Sequence, residues 1–343
     1  MNQSIGLYRA RRTAQNERMV ANAARAFWIA APGHGEIRPE SLGPKGPDQV
    51  LIRTHYSGIS RGTEALVFNG RVPATEYQRM RAPFQEGDFP APVKYGYSSV
   101  GVVEDGPGEL AGRRVFALFP HQTRYVVPIE AAHVLPDAVP SGRAVLAANI
   151  ETALNGVWDA ELQRGQRVTV VGAGTVGCLV AWVARSEGGC DVELVDTNPQ
   201  RAIAAAALGV NFRSASSASP GADVVIHVSG SPTGLDLAFR IAGFEATIVE
   251  MSWYGDQVVP LRLGEHFHVQ RLILKSSQVG VVARSRRNAW TRRRRMEYAI
   301  ALLNDPALDT LITGESPFED LPRVMSQLAA SPGDTLCHRI AYV

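Results

Sequence analysis

The feature that most constrains this fold is a glycine-rich turn between an apolar run and a helical segment. Residues 167–177 read Arg-Val-Thr-Val-Val-Gly-Ala-Gly-Thr-Val-Gly, and Asp196 closes the next apolar run, Val-Glu-Leu-Val-Asp. The first glycine permits a tight turn, the second lets a pyrophosphate approach the backbone, and the third lets the helix pack closely on the sheet. The pattern therefore predicts a dinucleotide-binding unit, with the phosphates at the helix N-terminus.

The acid at position 196 indicates which dinucleotide is preferred. A carboxylate at the end of the second strand accepts hydrogen bonds from the adenosine ribose hydroxyls and repels a 2′-phosphate. Asp196 therefore favours NAD(H) over NADP(H). The expected contacts of the turn itself are its three glycines, Gly172, Gly174 and Gly177.

Composition excludes several classes of protein. The 343 residues are enough for two domains, and 35 basic against 33 acidic residues leave a net charge of +2, which implies no polyelectrolyte partner. Three scattered cysteines give neither a disulfide framework nor a zinc ribbon and suit a reducing compartment. No apolar run is long enough to cross a membrane, so we expect a soluble, cytoplasmic protein.

The first 25 residues differ from the rest of the chain. They carry five arginines against the single acid Glu17 and lack the apolar core of a secretory signal. We predict a disordered basic tail over residues 1–25, or a translation start assigned too far upstream of Met19. The folded chain is expected to begin near Ala26.

The remaining chain changes its pattern near Ala144. Residues 26–150 contain short β-type runs broken by glycine and proline, with little helical periodicity before Ser141. Apolar runs then alternate with helical segments, which indicates a doubly wound parallel sheet. The predicted strands are 167–171, 191–195, 223–228, 245–250 and about 272–277, and the predicted helices are 175–187, 198–208 and 232–242. Two further helices and a last strand, 338–343, complete the chain.

Four blocks match one family pattern in addition to the glycine turn. They are Tyr56-Ser-Gly-Ile-Ser-Arg-Gly-Thr-Glu64, Tyr95-Gly-Tyr-Ser-Ser-Val-Gly101, Gly112-Arg-Arg-Val-Phe116 and Thr152-Ala-Leu-Asn-Gly156. Residues 26–343 thereby resemble the medium-chain dehydrogenase/reductase superfamily of zinc alcohol dehydrogenases and quinone reductases. The first block, followed by Asn69-Gly-Arg-Val-Pro, looks most like the hydroxyethyl bacteriochlorophyllide a dehydrogenase branch.

The resemblance implies a domain organisation. It predicts an α/β protein with a GroES-like, β-rich substrate domain over 26–150 and 284–343, and a Rossmann NAD-binding domain over 151–283. It also implies a homodimer that acts on a small-molecule substrate.

The departures from the family pattern concern the metal. Zinc members carry a cysteine in the first block, Gly-His-Glu in the second, and Cys or Glu shortly before the Thr-Ala pair. This chain has Ser60 and Arg61, then Tyr97, and then Ala148 or Asn149 at these places. None is a usual zinc ligand, so we predict no metal at the inherited position. The alternative is a rebuilt site around His121, with the further candidates His55, Glu64 and Glu151.

Without a Lewis acid, another group must handle the proton of the reacting oxygen. By resemblance, Thr63 is the hydroxyl that relays protons between substrate and cofactor ribose. Tyr97 either donates a hydrogen bond to the substrate oxygen or only forms an aromatic wall, and Glu64 is expected to orient Arg61 or Tyr97. The predicted substrate pocket consists of Ser60, Arg61, Tyr95, His121 and Trp253.

The resemblance also implies cofactor contacts outside the turn. Thr152 is expected against the nicotinamide, and Arg201 either on the adenosine or as a solvated helix residue. His227, in the strand before Ser229, is expected to be a core histidine. The remaining implied contacts are the backbone amides of Thr175 and Val176 and the pair Ser229-Gly230.

A run of seven arginines lies within residues 284–295. Such runs are typical of solvated helix faces or of ion pairs between subunits. A second interpretation is that one arginine holds the pyrophosphate or an anionic substrate. Nucleic-acid binding is not expected, because no binding motif or basic global balance accompanies the run.

These observations favour a zinc-independent, NAD(H)-dependent oxidoreductase that transfers hydride between an alcohol and a carbonyl. One alternative is an NAD(P)H-dependent quinone or enoyl reductase, which reduces an activated C=C bond. Another is a non-catalytic NAD(H)-binding redox sensor or RNA-binding protein. The sequence carries no motif that identifies the substrate.

Overall fold

The computed structural model describes residues 23–342. The first strand begins at Ala23, three residues before the predicted start, and its side chains alternate between exposed and buried positions. The Arg25 guanidinium pairs with Glu319 at 2.8 Å, so the end of the predicted basic tail is part of the fold. The rest of that tail, residues 1–22, lies outside the described residues.

The helices and strands of this part of the chain are as follows. The α-helices are α1 Arg61–Phe68, α2 Ser141–Ala144, α3 Ala147–Ala160, α4 Thr175–Ser186, α5 Arg201–Ala207, α6 Pro232–Ile241, α7 Arg292–Leu302 and α8 Leu321–Ala330. The strands are β1 Ala23–Ala31, β2 His34–Ser41, β3 Gln49–Ile59, β4 Glu86–Gly87, β5 Val93–Lys94, β6 Ser99–Asp105, β7 Arg114–Ala117, β8 Arg124–Pro128, β9 His133–Val134, β10 Arg167–Val171, β11 Asp191–Asp196, β12 Asn211–Ser214, β13 Ala222–His227, β14 Ala242–Glu250, β15 Ile273–Ser276, β16 Ile312–Pro317 and β17 Cys337–Ala341.

A parallel sheet of the order β12-β11-β10-β13-β14-β15 carries the glycine turn. The five predicted strands are present within a few residues of their expected bounds. Strand β12 was not predicted, because its four residues contain only one apolar side chain, Phe212. Pairing with β11 rather than intrinsic propensity makes this segment a strand.

The β-rich part contains two further sheets. One has the order β16-β17-β3-β6-β7-β9, with β8 also paired to β3, and the other has the order β2-β1-β5-β4. Strand β17 pairs antiparallel with β3, so the end of the chain returns to the β-rich part. The predicted fold class, a GroES-like β-rich part with a Rossmann sheet, is confirmed.

Helix α1 contradicts the prediction that the β-rich part is nearly free of helix. Its sequence, Arg-Gly-Thr-Glu-Ala-Leu-Val-Phe, mixes glycine and β-branched residues, which lower helix propensity. The helix is stabilised by tertiary packing instead, because Val67 and Phe68 are buried and α1 packs on α8.

Helix α3 connects the two halves of the molecule. It is buried along nearly its whole length and packs on α4 and α7. The predicted boundary between residues 150 and 151 falls inside this helix, and the domain bounds stay a prediction. Among residues 23–342, no helix is both long enough and apolar enough to cross a membrane.

Candidate active site

The glycine turn has the geometry that its sequence predicts. Gly172 has φ +111°, and a Cβ there would lie 2.6 Å from the Ser229 Cα atom. A Cβ on Gly177 would overlap the carbonyl oxygen of Gly172, whereas Gly174 faces open space with only Arg61 within 4 Å. The first and third glycines are thus needed for packing, and the second leaves room for a ligand at the start of α4.

Asp196 ends β11 beside this turn. Its Oδ2 atom accepts the Ala173 amide at 2.6 Å, and its Oδ1 atom accepts the Asn198 amide at 2.8 Å. The carboxylate therefore joins the turn to the neighbouring strand. Each carboxylate oxygen keeps a further lone pair for a ribose hydroxyl.

Two arginines lie close to Asp196. Arg201 is buried rather than solvated, because its guanidinium donates to the Asp334 carbonyl at 2.6 Å and to two neighbouring carbonyls. Arg61 donates to the Thr335 carbonyl at 3.0 Å. Burial and the charge of Arg201 lower the pKa of Arg61, and Asp196 opposes this shift. The loop at 333–335 thus holds both guanidinium groups near the Asp196 carboxylate.

A cavity of about 430 Å³ opens between the turn and the β-rich part. Twelve of the residues predicted to form the site line it. They are Ser60, Arg61, Thr63, Tyr97, Thr152, Gly174, Thr175, Val176, Gly177, Ser229, Gly230 and Trp253. Asn149, Met251, Ser252 and Tyr254 also line the cavity. The sequence signal for the last three is their position directly after β14, at the ligand-binding edge of a parallel sheet.

Neutral polar side chains form one side of the cavity: Ser60, Thr63, Tyr97 and Asn149. The Asn149 amide donates to Ser60 Oγ at 3.2 Å, and Tyr97 is hydrogen-bonded to Ser60 and Thr63. Burial, and then the charge of Glu64, raise the pKa of Tyr97 to about 12, although both hydrogen bonds act in the opposite direction. The Tyr97 phenol therefore keeps its proton at neutral pH.

Glu64 and His121 form a buried pair behind the polar residues that line the cavity. Glu64 accepts the Ser60 amide at 2.7 Å through one oxygen, and its other oxygen lies 2.9 Å from His121 Nε2. The opposite ring nitrogen of His121 lies 2.6 Å from Ser57 Oγ, which in turn contacts the Tyr342 hydroxyl at 2.9 Å. Glu64 thus anchors the start of α1, and the expectation that it orients Arg61 or Tyr97 stays a prediction.

Two predicted pocket residues lie outside the cavity wall. His121 is 1% exposed and is held by the network with Glu64. Tyr95 is 5% exposed and packs edge-to-face on Tyr97, with ring centroids 6.0 Å apart. Both side chains lie behind the residues that line the cavity, and their contact with a substrate stays a prediction.

The donors around the cavity do not fit a zinc ion. Serine, tyrosine and asparagine side chains are not its usual ligands. In the described part of the chain, no three His, Cys, Asp or Glu side chains lie close enough together to hold a metal ion. Of the alternative ligands, His121 is hydrogen-bonded to Glu64, and Glu151 pairs with Arg295 at 3.0 Å.

The arginine run divides into an exposed and a buried part. Six of its side chains are exposed, whereas Arg295 is 2% exposed and contacts Glu151, Asn155 and the Val279 carbonyl. None of the seven lines the cavity. The cavity lining therefore gives no support to the interpretation that one of them holds the pyrophosphate or an anionic substrate. Helix α7 directs Arg295 into the interface with α3.

Comparison with known proteins agrees with the fold. No family model matches the chain. It is 25% identical over 224 residues to 2-dehydro-3-deoxy-L-galactonate 5-dehydrogenase of Pseudoalteromonas atlantica, a match that spans 62% of each protein. It is 29% identical over 271 residues to (R,R)-butanediol dehydrogenase of Bacillus subtilis, covering 68% of this chain and 76% of that enzyme.

The solved structures with this fold include a putative zinc-binding dehydrogenase from Sinorhizobium meliloti bound to NADP. It has a TM-score of 0.74 and 18% identity, and the match covers 93% of this chain and 99% of that structure. The homologues and structural neighbours are medium-chain dehydrogenases of the zinc type.

Proposed function

We propose that this protein is an NAD(H)-dependent oxidoreductase that interconverts an alcohol and a carbonyl without zinc. The observation that carries the proposal is that one cavity is lined both by the glycine turn and by the cluster of Ser60, Thr63, Tyr97 and Asn149. The proposed dinucleotide site and the proposed proton-donating residues thus lie in one cavity. The relatives named above are alcohol dehydrogenases, which supports a CH–OH substrate.

Most of the residues that would hold the cofactor line the cavity, and Asp196 lies beside the glycine turn. The amides of Thr175 and Val176 at the start of α4 suit the pyrophosphate, and Arg61 adds a positive charge beside Gly174. Asp196 would accept the adenosine ribose hydroxyls, with Arg201 nearby, while Thr152, Ser229 and Gly230 would contact the nicotinamide half. Bound NAD(H) supplies or accepts the hydride.

Tyr97 and Thr63 handle the proton in this proposal. In the reductive direction the carbonyl oxygen gains negative charge, and a phenol that keeps its proton at neutral pH is a suitable donor to it. The hydroxyls of Ser60 and Thr63 interact with the Tyr97 phenol and help to orient it. Glu64 acts on Tyr97 through its charge and is a positioning residue.

We also infer a homodimer that forms through the free edge of the Rossmann sheet. Within residues 23–342, strand β15 is the last strand of the sheet, and no strand pairs with its outer side. Apolar side chains around this edge are exposed, including Ile273 at 55% and Val269 at 67%. An edge strand flanked by exposed apolar residues favours pairing with a second copy.

The proposed function is tested by binding and turnover together. NADH and NADPH are titrated by fluorescence, and NAD reduction is followed with a panel of polyols, diols and secondary alcohols. We expect NADH to bind more tightly than NADPH, because Asp196 opposes a 2′-phosphate, and at least one alcohol to be oxidised. Tight NADH binding without turnover across the panel would indicate the non-catalytic alternative.

A further inference from the structure

A polar cluster lies at the ends of two neighbouring parallel strands. His227 ends β13 and is paired in register with Glu250, which ends β14. Ser229 follows two residues after His227 and lines the cavity. The His227 side chain is fully buried, as expected for a core histidine, but each of its ring nitrogens contacts a polar side chain.

The distances within the cluster are those of charge-assisted hydrogen bonds. His227 Nδ1 lies 2.8 and 3.0 Å from the two carboxylate oxygens of Glu250, and His227 Nε2 lies 2.6 Å from Ser229 Oγ. Glu250 also accepts the Ser252 amide at 2.7 Å and the Tyr254 hydroxyl at 3.1 Å. An acidic side chain that receives three donors serves as an acceptor only.

The contacts of Glu250 determine where the imidazole proton lies. His227 Nδ1 donates to the carboxylate, so Nε2 carries the free lone pair and accepts the hydroxyl proton of Ser229. The Ser231 amide donates to Ser229 Oγ at 3.2 Å. One lone pair of Ser229 Oγ therefore stays free to accept a further hydrogen bond, and Ser229 is one of the residues that line the cavity.

The surrounding backbone leaves room for this arrangement. A Cβ on Gly234 in α6 would overlap Ser229 Oγ and lie 2.9 Å from His227 Nε2. Any side chain at position 234 would thus displace the hydroxyl from the ring. Serine, histidine and acid consequently have the mutual geometry of a nucleophile, its base and the group that orients the base.

We propose that Glu250, His227 and Ser229 form a proton relay in which Ser229, a residue that lines the cavity, carries an activated hydroxyl. Ser229 Oγ binds a hydroxyl donor and takes its proton, while the proton of Ser229 itself moves to His227 Nε2. Glu250 then stabilises the imidazolium. His227 and Glu250 act through Ser229 and are positioning residues.

The chemical class of the ligand follows from the acceptor character of Ser229 Oγ: it is a molecule with a free hydroxyl group. This part of the inference rests on the proposed function, because the hydroxyl would belong either to the ribose next to nicotinamide or to the alcohol substrate. The activation of Ser229 depends only on residues of the chain and can be measured without cofactor and without alcohol substrate.

The test uses the full-length protein and a fluorophosphonate probe. Ser229 Oγ attacks phosphorus, the O–P bond forms, the P–F bond breaks, fluoride leaves, and the hydroxyl proton goes to His227 Nε2. We expect peptide mapping to place the label on Ser229. In the His227→Gln and Glu250→Gln variants the labelling rate should fall by about 10²-fold or more, since general-base assistance contributes at least about this factor. Ser231→Ala is the matched control, because only its backbone amide contacts Ser229, and it should label at the wild-type rate.

A wild-type protein that is not labelled at Ser229, or a folded His227→Gln variant that labels at the wild-type rate, would overturn the relay. ¹⁵N NMR of the wild-type histidines gives a readout that does not depend on folding of the variants. The relay requires the Nδ1-protonated tautomer of His227, and the Nε2-protonated tautomer would refute it.

Protection experiments identify the hydroxyl donor. Slower labelling in the presence of NADH assigns the donor to the cofactor, and slower labelling only with a vicinal diol assigns it to the substrate. If NADH binds by fluorescence and neither compound protects, the assignment of Ser229 to a hydroxyl donor is wrong. Labelling of Ser229 in a protein that binds no NADH supports the relay and refutes the proposed cofactor site.

Discussion

At the scale of single residues, the site depends on which polar groups face the cavity and which lie behind its wall. Tyr97 faces the cavity and is bonded to Ser60 and Thr63, whereas Glu64 and His121 satisfy one another beneath it. A surface of neutral donors is thereby supported by a buried, hydrogen-bonded pair. This arrangement suits an oxygen that gains negative charge during reaction.

Replacing Tyr97 with Phe tests the donor role. The change removes the phenol and leaves the aromatic wall, so we expect turnover to fall about 10²- to 10⁴-fold. The affinity for NADH should stay near the wild-type value, because the proposed cofactor contacts are made by the glycine turn and not by Tyr97. Steady-state kinetics and a fluorescence titration measure the two quantities.

Tyr95→Phe is the matched control for this substitution. It removes a neighbouring phenol that lies outside the cavity wall and should leave turnover almost unchanged. If Tyr97→Phe and Tyr95→Phe had equal, small effects, Tyr97 would be only an aromatic wall.

The sequence predicted the residue types of the site better than their positions relative to the cavity. Residues within the motif blocks, such as Thr63 and Thr152, line the cavity as expected. His121 and Tyr95 do not, because their burial is decided by partners distant in sequence, such as Ser57 and Tyr342. His227 was expected in the core, but its contact with Glu250 exists only because β13 and β14 pair in register.

At the scale of secondary structure, the interface between α3 and α7 combines burial with an ion pair. Arg295 and Glu151 are 2% and 6% exposed and lie 3.0 Å apart, and Asn155 adds a further hydrogen-bond acceptor. Burial raises the pKa of Glu151, while Arg295 acts to lower it. The interface supports the helix that carries Asn149 and Thr152 into the cavity.

Removing the cation should destabilise this interface strongly. Arg295→Ala leaves Glu151 buried without its partner, which typically costs about 3–5 kcal/mol of unfolding free energy. Arg292→Ala, on the exposed side of the same helix, should change the unfolding free energy by only about 0.5 kcal/mol. Urea denaturation measures both. Equal effects of the two substitutions would show that the buried pair of Arg295 and Glu151 adds nothing to the unfolding free energy beyond what an exposed arginine adds.

Secondary structure was predictable where apolar periodicity is strong. Strands β10, β11, β13 and β14 and their helices follow directly from alternating apolar runs and turn residues. Helix α1 and strand β12 were missed, because each is short and has weak intrinsic propensity. Tertiary contacts with α8 and β11 stabilise them, and the local sequence does not contain that information.

At the scale of the whole molecule, the free edge at β15 determines the expected assembly. Ile273→Asp places a charge in the proposed dimer interface, and we expect it to convert the protein from dimer to monomer in light scattering coupled to size exclusion. Ile203→Asp is the control, since Ile203 is 68% exposed on α5, away from this edge. A wild-type protein that elutes as a monomer would contradict the proposed homodimer.

The order of the chain, with β-rich residues before and after the Rossmann sheet, also bears on the site. The final strand β17 pairs with β3, the strand that leads into Ser60 and α1. The cavity is therefore lined by segments from both halves of the molecule, including Leu328 and Pro332 near the C-terminus. The residue pattern indicated a C-terminal return with a last strand over 338–343, and the family resemblance assigned it to the β-rich domain. The pairing of β17 with β3 itself was not predictable, because it spans most of the chain.

The central claim, hydride transfer between alcohol and carbonyl without zinc, is tested most directly by measuring metal content and turnover on the same sample. Zinc is quantified by inductively coupled plasma mass spectrometry in protein purified without chelator, and NAD-dependent turnover is recorded before and after chelation. The proposed site predicts substoichiometric zinc and unchanged turnover, because Ser60, Tyr97 and Asn149 are not zinc ligands. One zinc per chain, with turnover lost on its removal and restored on its return, would contradict the claim.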